Sequence, residues 1–341
     1  MTQTQTQTQT QNQNGDGNDS NNELNLVESV RQTLHDEMGR DETVVVYGED
    51  VGVDGGVFRT TKGLIEEYPE RIFDTPLAES GIVGTAVGMG VYGKRPVVEI
   101  QFSGFIPQAF HQIKQHVSRL RSRSRGSYNC PITIRAPYGG GVHALEHHSE
   151  SFEAAYSHIP GLKVVVPSNP SDAKGLLTSA IRDPDPVVFL EPKKLYRAFR
   201  EDVPEGEHTV PLEEARVVSE GDDVSLVSWG AMVRESLKAV DEVEASVEVV
   251  DLRTVSPLDA ETVVESVKKT GRCVVVQEAP RTLGVSSEVV SRINDEALLY
   301  LEAPVERVTA PDVPYPFPER EGAYMPDKEQ IAEAVRQTAD F

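Results

Sequence analysis

Apolar and polar positions alternate along this chain in two registers, and the switches between them mark out the elements. Leu26, Val30, Leu34 and Met38 recur at helical spacing and predict a first amphipathic helix. Residues 43–47 form an unbroken apolar run, the pattern of a strand buried on both faces, and end in the turn Gly48-Glu49-Asp50. A helix is expected near 61–68 after Gly55-Gly56, then a short strand at Arg71-Ile72-Phe73. Residues 96–102 read as another strand, and Ile106, Phe110, Ile113, Val117 and Leu120 define one face of a long amphipathic helix. Strands follow at 132–134, 163–166 and 187–190, with Asn169-Pro170-Ser171-Asp172 starting the helix between the last two. The alternation resumes at 224–228, a helix from Ala231, a strand at 247–251, a helix near 259–270 and a strand at 273–277. A helix at 287–299, a strand at 305–309 and a terminal helix at 327–338 complete it. Strands alternating with helices predict an α/β protein of two parallel-sheet domains, each sheet covered on both faces.

Composition sets the boundaries between these parts. Residues 1–22 alternate Thr and Gln and then turn to Asn, Asp and Gly, a tail with nothing to bury that is expected to be disordered. The first domain is expected over 23–191, a linker rich in Pro, Glu and charge over 192–221, and a smaller second domain over 222–341. That second domain shows no clustered candidate acid, base or nucleophile, which suggests a role in assembly. No apolar run approaches the roughly 18 residues that span a bilayer, and no signal peptide opens the chain. Two cysteines, Cys130 and Cys273, form no disulfide framework, sit beside strand-like runs and fit a reducing cytoplasm. The formal net charge of −22 argues against nucleic acid and anionic membranes as partners. With Arg outnumbering Lys by 22 to 11, the acidic excess spread along the whole chain points to a salt-rich cytoplasm that screens self-repulsion.

The segment around which the chain is organised is Asp74-Thr75-Pro76-Leu77-Ala78-Glu79-Ser80-Gly81, running on to Tyr92. Thr75-Pro76 marks a turn, since the residue before proline is pushed away from helical angles. From Ser80, Ile82, Val83, Ala86, Val87 and Met89 make an apolar helix of about 13 residues, roughly 20 Å long. Gly81, Gly84 and Gly88 share one face of it. Each costs a helix about 1 kcal/mol against alanine, so the stripe predicts a close backbone contact with another helix or a ligand. Glu79 at the helix start reads equally as a complement to the helix dipole, worth about 0.3–1 kcal/mol, or as a functional carboxylate. His143, Glu146, His147, His148 and Glu150 form the densest ionisable cluster, behind the flexible-looking loop Tyr138-Gly139-Gly140-Gly141. Their spacing does not put ligands on one face as a metal site prefers. The run Arg119, Arg121, Arg123 and Arg125 reads as a solvated or inter-subunit face.

Taken in order, Glu49-Asp50-Val51-Gly52, Asp74 to Gly81, Arg95 to Phe102 and Pro137-Tyr138-Gly139-Gly140-Gly141 closely resemble the beta subunit of thiamine-diphosphate-dependent 2-oxo acid dehydrogenases. That subunit belongs to the decarboxylating component of the pyruvate and branched-chain complexes, with a transketolase-like fold. The resemblance extends from about Leu24 to Phe341 and includes Asp172-Ala173-Lys174-Gly175-Leu176-Leu177 and Ile181-Arg182-Asp183-Pro184-Asp185-Pro186. It implies that Glu79 hydrogen-bonds a ring nitrogen of the cofactor's aminopyrimidine and so activates the thiazolium carbon. Phe105 falls where the family has an aromatic that stacks on the pyrimidine, often tyrosine, and Gln101 is expected to line the same pocket. Either residue reads as well as ordinary interior. His148-Ser149-Glu150 matches a His-Ser-Gln-like triplet whose histidine assists acyl transfer to a lipoyl group, with glutamate here in place of glutamine. On this reading His143 and His147 are loop residues. The resemblance also implies a structural potassium ion held by backbone oxygens at Ile132, Ala180, Ile181, Asp183 and Asp185.

An absence completes the picture. No metal–diphosphate motif follows any strand; Gly15-Asp16-Gly17 with Asn21-Asn22 lies in the polar tail, with its asparagines too close. Half of the cofactor site must then come from elsewhere, and the resemblance implies that an alpha subunit supplies it, with its Mg2+, in an α2β2 heterotetramer. The small domain, including the C-terminal Phe341, would dock a dihydrolipoyl acyltransferase core. A self-sufficient transketolase-like enzyme, a non-catalytic scaffold subunit and a zinc hydrolase built on the histidine loop are the competing readings.

Overall fold

The computed structural model describes residues 22–341, so the expected tail at 1–22 lies outside the described residues except for Asn22. Helix α1 (Leu26–Arg40) opens with a reciprocal cap in which Asn25 accepts from the Glu28 N–H and the Glu28 carboxylate accepts from the Asn25 N–H. Its Leu26, Val30, Leu34 and Met38 stripe is fully buried. Strands β1 (Val44–Gly48), β2 (Ile72–Asp74), β3 (Arg95–Glu99), β4 (Thr133–Tyr138), β5 (Lys163–Val165) and β6 (Val187–Pro192) are all mutually parallel in one sheet. Helix α2 (Glu79–Val91) follows β2, and α3 (Pro170–Arg182), capped by Asn169 with Pro170 at its first position, joins β5 to β6.

A second sheet is built from β7 (Arg216–Ser219), β8 (Val224–Ser228), β9 (Val247–Asp251), β11 (Cys273–Pro280) and β12 (Glu306–Ala310), in the order β12-β11-β8-β9-β7 with only β7 antiparallel. The intervening strand β10 (Thr254–Ser256) leaves this sheet and pairs antiparallel with β5. The first sheet thus has seven strands in the order β10-β5-β6-β4-β3-β1-β2, the first of them lent by the C-terminal unit. Helices α4 (Ala231–Val240), α5 (Ala260–Thr270), α6 (Val285–Ala297) and α7 (Lys328–Ala339) cover the second sheet. The stretch 192–221 is ordered by short pairings: Glu201–Asp202 pairs with Glu23–Leu24, and β7 closes the edge of the second sheet.

Three elements differ from the expectation. The helix near 61–68 is a single turn, Leu64–Glu67. The long helix after β3 is broken: Ser103–Ala109 is 3₁₀ and contains Pro107, Phe110–Gln112 is α, Ile113–Val117 is π-helical and Leu120–Arg123 is α again. Its apolar face still serves the core, with Ile106, Ile113 and Val117 buried. The glycine stripe of α2 finds no close backbone partner among the described residues. A Cβ at Gly84 would touch only the Gln112 side chain, at 3.5 Å, and one at Gly88 nothing within 4 Å. That face borders an open groove of about 680 Å³ lined by Phe73, Thr85, Met89 and Tyr92. Cys130 and Cys273 are free and buried, and burial pushes both thiols up to about 12. No described helix is long and apolar enough to cross a membrane.

Candidate active site

Parallel strands bring their carboxyl ends to one edge, where α/β sheets bind ligands. Here β1 delivers Glu49 and Asp50, β2 leads into Glu79, β3 into Gln101 and Phe105, β4 into the loop that carries His148, and β6 into Lys193.

Glu79 is the first residue of α2 and only 4% exposed. Among the described residues no hydrogen bond or ion pair engages its carboxylate. The residue is buried while its carboxylate is left open to a partner from outside the chain. Tyr47 supports the turn beneath it, donating its hydroxyl to the Ile82 carbonyl at 3.0 Å. Glu49 stands nearby: burial, then the carboxylates of Asp50 and Glu79, raise its pKa above the usual range. Asp50 adopts φ +57° and accepts from the Gln101 side-chain amide at 3.0 Å. Gln101 thus lines the carboxylate side of the crevice.

Its neighbour Phe102 opens the aromatic side. The His148 ring meets Phe102 edge to face at 4.5 Å and Phe105 edge to face at 5.2 Å. His147 lies 5.4 Å from Phe105 and 4.6 Å from His148. Phe105 therefore contacts the histidines directly, and it is only partly buried, which leaves ring surface toward the crevice. The His148 Nδ1 atom is buried without a hydrogen-bond partner. Burial, then His147 and the Lys193 ammonium, hold the His148 pKa below its ordinary value, with Glu146 opposing. The glycine loop is not free: Gly140 donates its N–H to Glu278, and Gly141 and His143 donate theirs to Glu321. His143 also turns its ring Nδ1 to Glu321 at 3.0 Å, away from His148. No group of three or more His, Cys, Asp or Glu among the described residues is arranged to hold a metal ion, which removes the support for a zinc site.

Phe102, Lys193, Glu278 and Glu321 were not among the residues picked out from the sequence; the last two bring carboxylates of the second unit to the loop that leads to His148. The pair Gln277-Glu278 interrupting the apolar run of β11 was the available signal.

The segments named for potassium do converge, since Ile132 accepts from the Val187 N–H and Ala180 from the Asp183 N–H. Arg95 already donates to the Ile181 and Asp183 carbonyls, at 3.0 and 3.2 Å. These carbonyl oxygens are thus already engaged by N–H donors, one of them a cation, and no step is assigned to a bound ion there. For thiamine diphosphate the donor chemistry fits: a carboxylate with no partner among the described residues, an orphaned imidazole nitrogen and a partly buried aromatic ring all follow the carboxyl ends of the parallel strands.

Two α/β units in this order, the first with these residues at its carboxyl edge, are the architecture of the transketolase-like class of thiamine enzymes. Residues 22–198 match the family described as transketolase, pyrimidine binding domain, and residues 213–331 match transketolase, C-terminal domain. The chain is 53% identical over 323 residues to the pyruvate dehydrogenase E1 component subunit beta of Bacillus subtilis (strain 168), covering 94% of this chain and 99% of that one. It is 52% identical over the same length to the subunit of that name from Staphylococcus epidermidis, with the same coverage. It belongs to the family of pyruvate dehydrogenase E1 component beta subunits. A solved structure titled "Split gene transketolase, inactive beta4 tetramer" shares the fold, with TM-score 0.76 at 22% identity over 93% of this chain and 99% of the other.

Proposed function

We propose that this chain is the pyrimidine-side half of a 2-oxo acid dehydrogenase, completed by an alpha subunit in an α2β2 assembly and acting on pyruvate, as the names of its relatives indicate. The observation that carries this is the buried, unpartnered Glu79 carboxylate at the start of α2. When bound, thiamine diphosphate supplies the electron sink for loss of carbon dioxide from the 2-oxo acid. Glu79 would hold the aminopyrimidine by accepting a hydrogen bond from a protonated ring nitrogen, and Phe105 would offer its ring face. Gln101 holds the Asp50 carboxylate by donating its side-chain amide to it. In the second half of the reaction the two electrons released reduce a lipoyl disulfide on the acyltransferase. One sulfur takes the acyl group and the other a proton, which His148 handles. The Phe102 and Phe105 rings exclude water around that imidazole.

The Glu79→Gln variant tests the reading. Reconstituted with the alpha subunit, it should fold and assemble normally and lose about 10²–10⁴-fold in decarboxylation rate. Wild-type activity in that variant would remove Glu79 from the mechanism. The wild-type chain reconstituted with the alpha subunit and assayed against pyruvate and branched-chain 2-oxo acids should prefer pyruvate.

A further inference from the structure

Two carboxylates of the C-terminal unit cross the seam to the loop that delivers His148. Glu278, near the carboxyl end of β11, accepts the Gly140 N–H and the Ser151 hydroxyl, the latter at 3.3 Å. Glu321 accepts the Gly141 N–H at 3.1 Å, the His143 N–H at 3.0 Å and the Tyr315 hydroxyl at 2.6 Å. Both are buried, at 3% and 2% exposure. Three N–H groups within four residues thus point at carboxylates from another unit, and such charge-assisted bonds are roughly twice as strong as neutral ones.

The loop's backbone is shaped for this grip. Gly139, Gly141 and His143 adopt φ of +77°, +82° and +56°, and a Cβ at Gly140 would overlap the Tyr315 hydroxyl. Lys193, itself buried, closes the other side by donating to the Gly139 carbonyl. Burial brings its pKa down to about 8 against the pull of Glu278 and Glu321. The far end of the loop is fixed within the first unit. There the Ser103 hydroxyl donates to the Glu150 carbonyl at 2.8 Å, and a side chain at Gly104 would overlap the His147 carbonyl. His148 therefore sits between two anchors, one of which belongs to the other unit.

We propose that Glu278 and Glu321 are positioning residues for His148, holding the 139–143 loop from across the seam so that its imidazole faces the Phe102–Phe105 cage during acyl transfer. This rests on the role proposed above for His148, and the experiment separates the two. The chain is assembled with its alpha subunit, and decarboxylation with an artificial electron acceptor is compared with acylation of the acyltransferase's lipoyl domain. His148→Ala should lose far more lipoyl acylation than dye-linked decarboxylation. Glu321→Gln and Glu278→Gln should show the same split, with acylation down tenfold or more, in line with the roughly 10²-fold that a 1 Å misplacement costs. Glu321→Asp, which keeps the charge, should recover part of it. The double variant Glu321→Gln/His148→Ala should be no worse than His148→Ala, because residues that act as a unit are not additive. Should Glu321→Gln fail to assemble, Tyr315→Phe removes the hydroxyl that orients Glu321 and should give the split in milder form. An equal fall in both assays, or additive losses in the double variant, would overturn the proposal. A split in His148→Ala alone rejects the positioning role; no split in His148→Ala rejects the reading of His148 itself.

Discussion

Glu153 places one carboxyl oxygen 3.4 Å from the Trp229 indole nitrogen, which donates to it, and leaves the other buried without a partner. Burial pushes its pKa up to about 7, and Glu278 adds to the rise. With the native pKa above the unfolded value, the folded state keeps its proton while the unfolded chain loses its own. Stability from this group is complete below about pH 4.5 and is lost as pH rises through about 7. Glu153→Gln keeps the shape and removes the titration. Thermal melts should show its Tm matching wild type near pH 4.5 and exceeding it by a few degrees near pH 8; parallel curves would show that Glu153 is ionised throughout. At this scale the sequence exposes some residues and hides others. Glu79 stands out because it opens an apolar helix, but its role, like those of Phe105 and His148, came from resemblance. Glu278 and Glu321 are invisible to local pattern because their partners lie 138 and 180 residues away. Lys193 reads as an ordinary charged residue after a strand, and only the assembled seam buries it.

At the scale of elements, period and punctuation carried most of the way. β8 and β9 occupy 224–228 and 247–251 as read, because Val-rich runs interrupted only by Ser225 and Glu248 are too short for a helix. The break at Pro107 and the π-turn at Ile113–Val117 escaped, since apolar spacing alone does not distinguish an α-helix from a mixture that buries the same face. The glycine stripe of α2 is the instructive case. Spacing predicted a close contact, and the chain alone leaves the stripe facing an open groove, so the contact is proposed to lie with another subunit. Gly88→Ala should then stabilise the isolated chain by up to about 1 kcal/mol through helix propensity. Gly88→Leu should leave the isolated chain folded and weaken its association with the alpha subunit, as read by sedimentation. Undiminished association would place the interface elsewhere.

For the molecule as a whole, the charge of −22 sets the response to salt. Many described ion pairs, such as Arg121–Asp185 and Lys269–Glu248, involve an exposed cation and add little each. Unpaired carboxylates repel one another instead, and screening them lengthens the range of conditions in which the fold survives. Raising choline chloride from tens of millimolar to about 2 M should raise Tm by several degrees. An extra increment with potassium chloride at equal ionic strength would mark the carbonyl site near Arg95, and a flat response to both salts would refute adaptation to a saline interior.

The strand lent by the C-terminal unit has a consequence for any attempt to take the protein apart. Severed at residue 221, the first unit keeps its helices but loses the border strand Thr254–Ser256 that covers Val164 and Val165. Naked β-edges recruit whatever extended peptide is at hand. Fragments corresponding to the two halves should therefore precipitate when made separately and turn soluble when produced together, each completing the other.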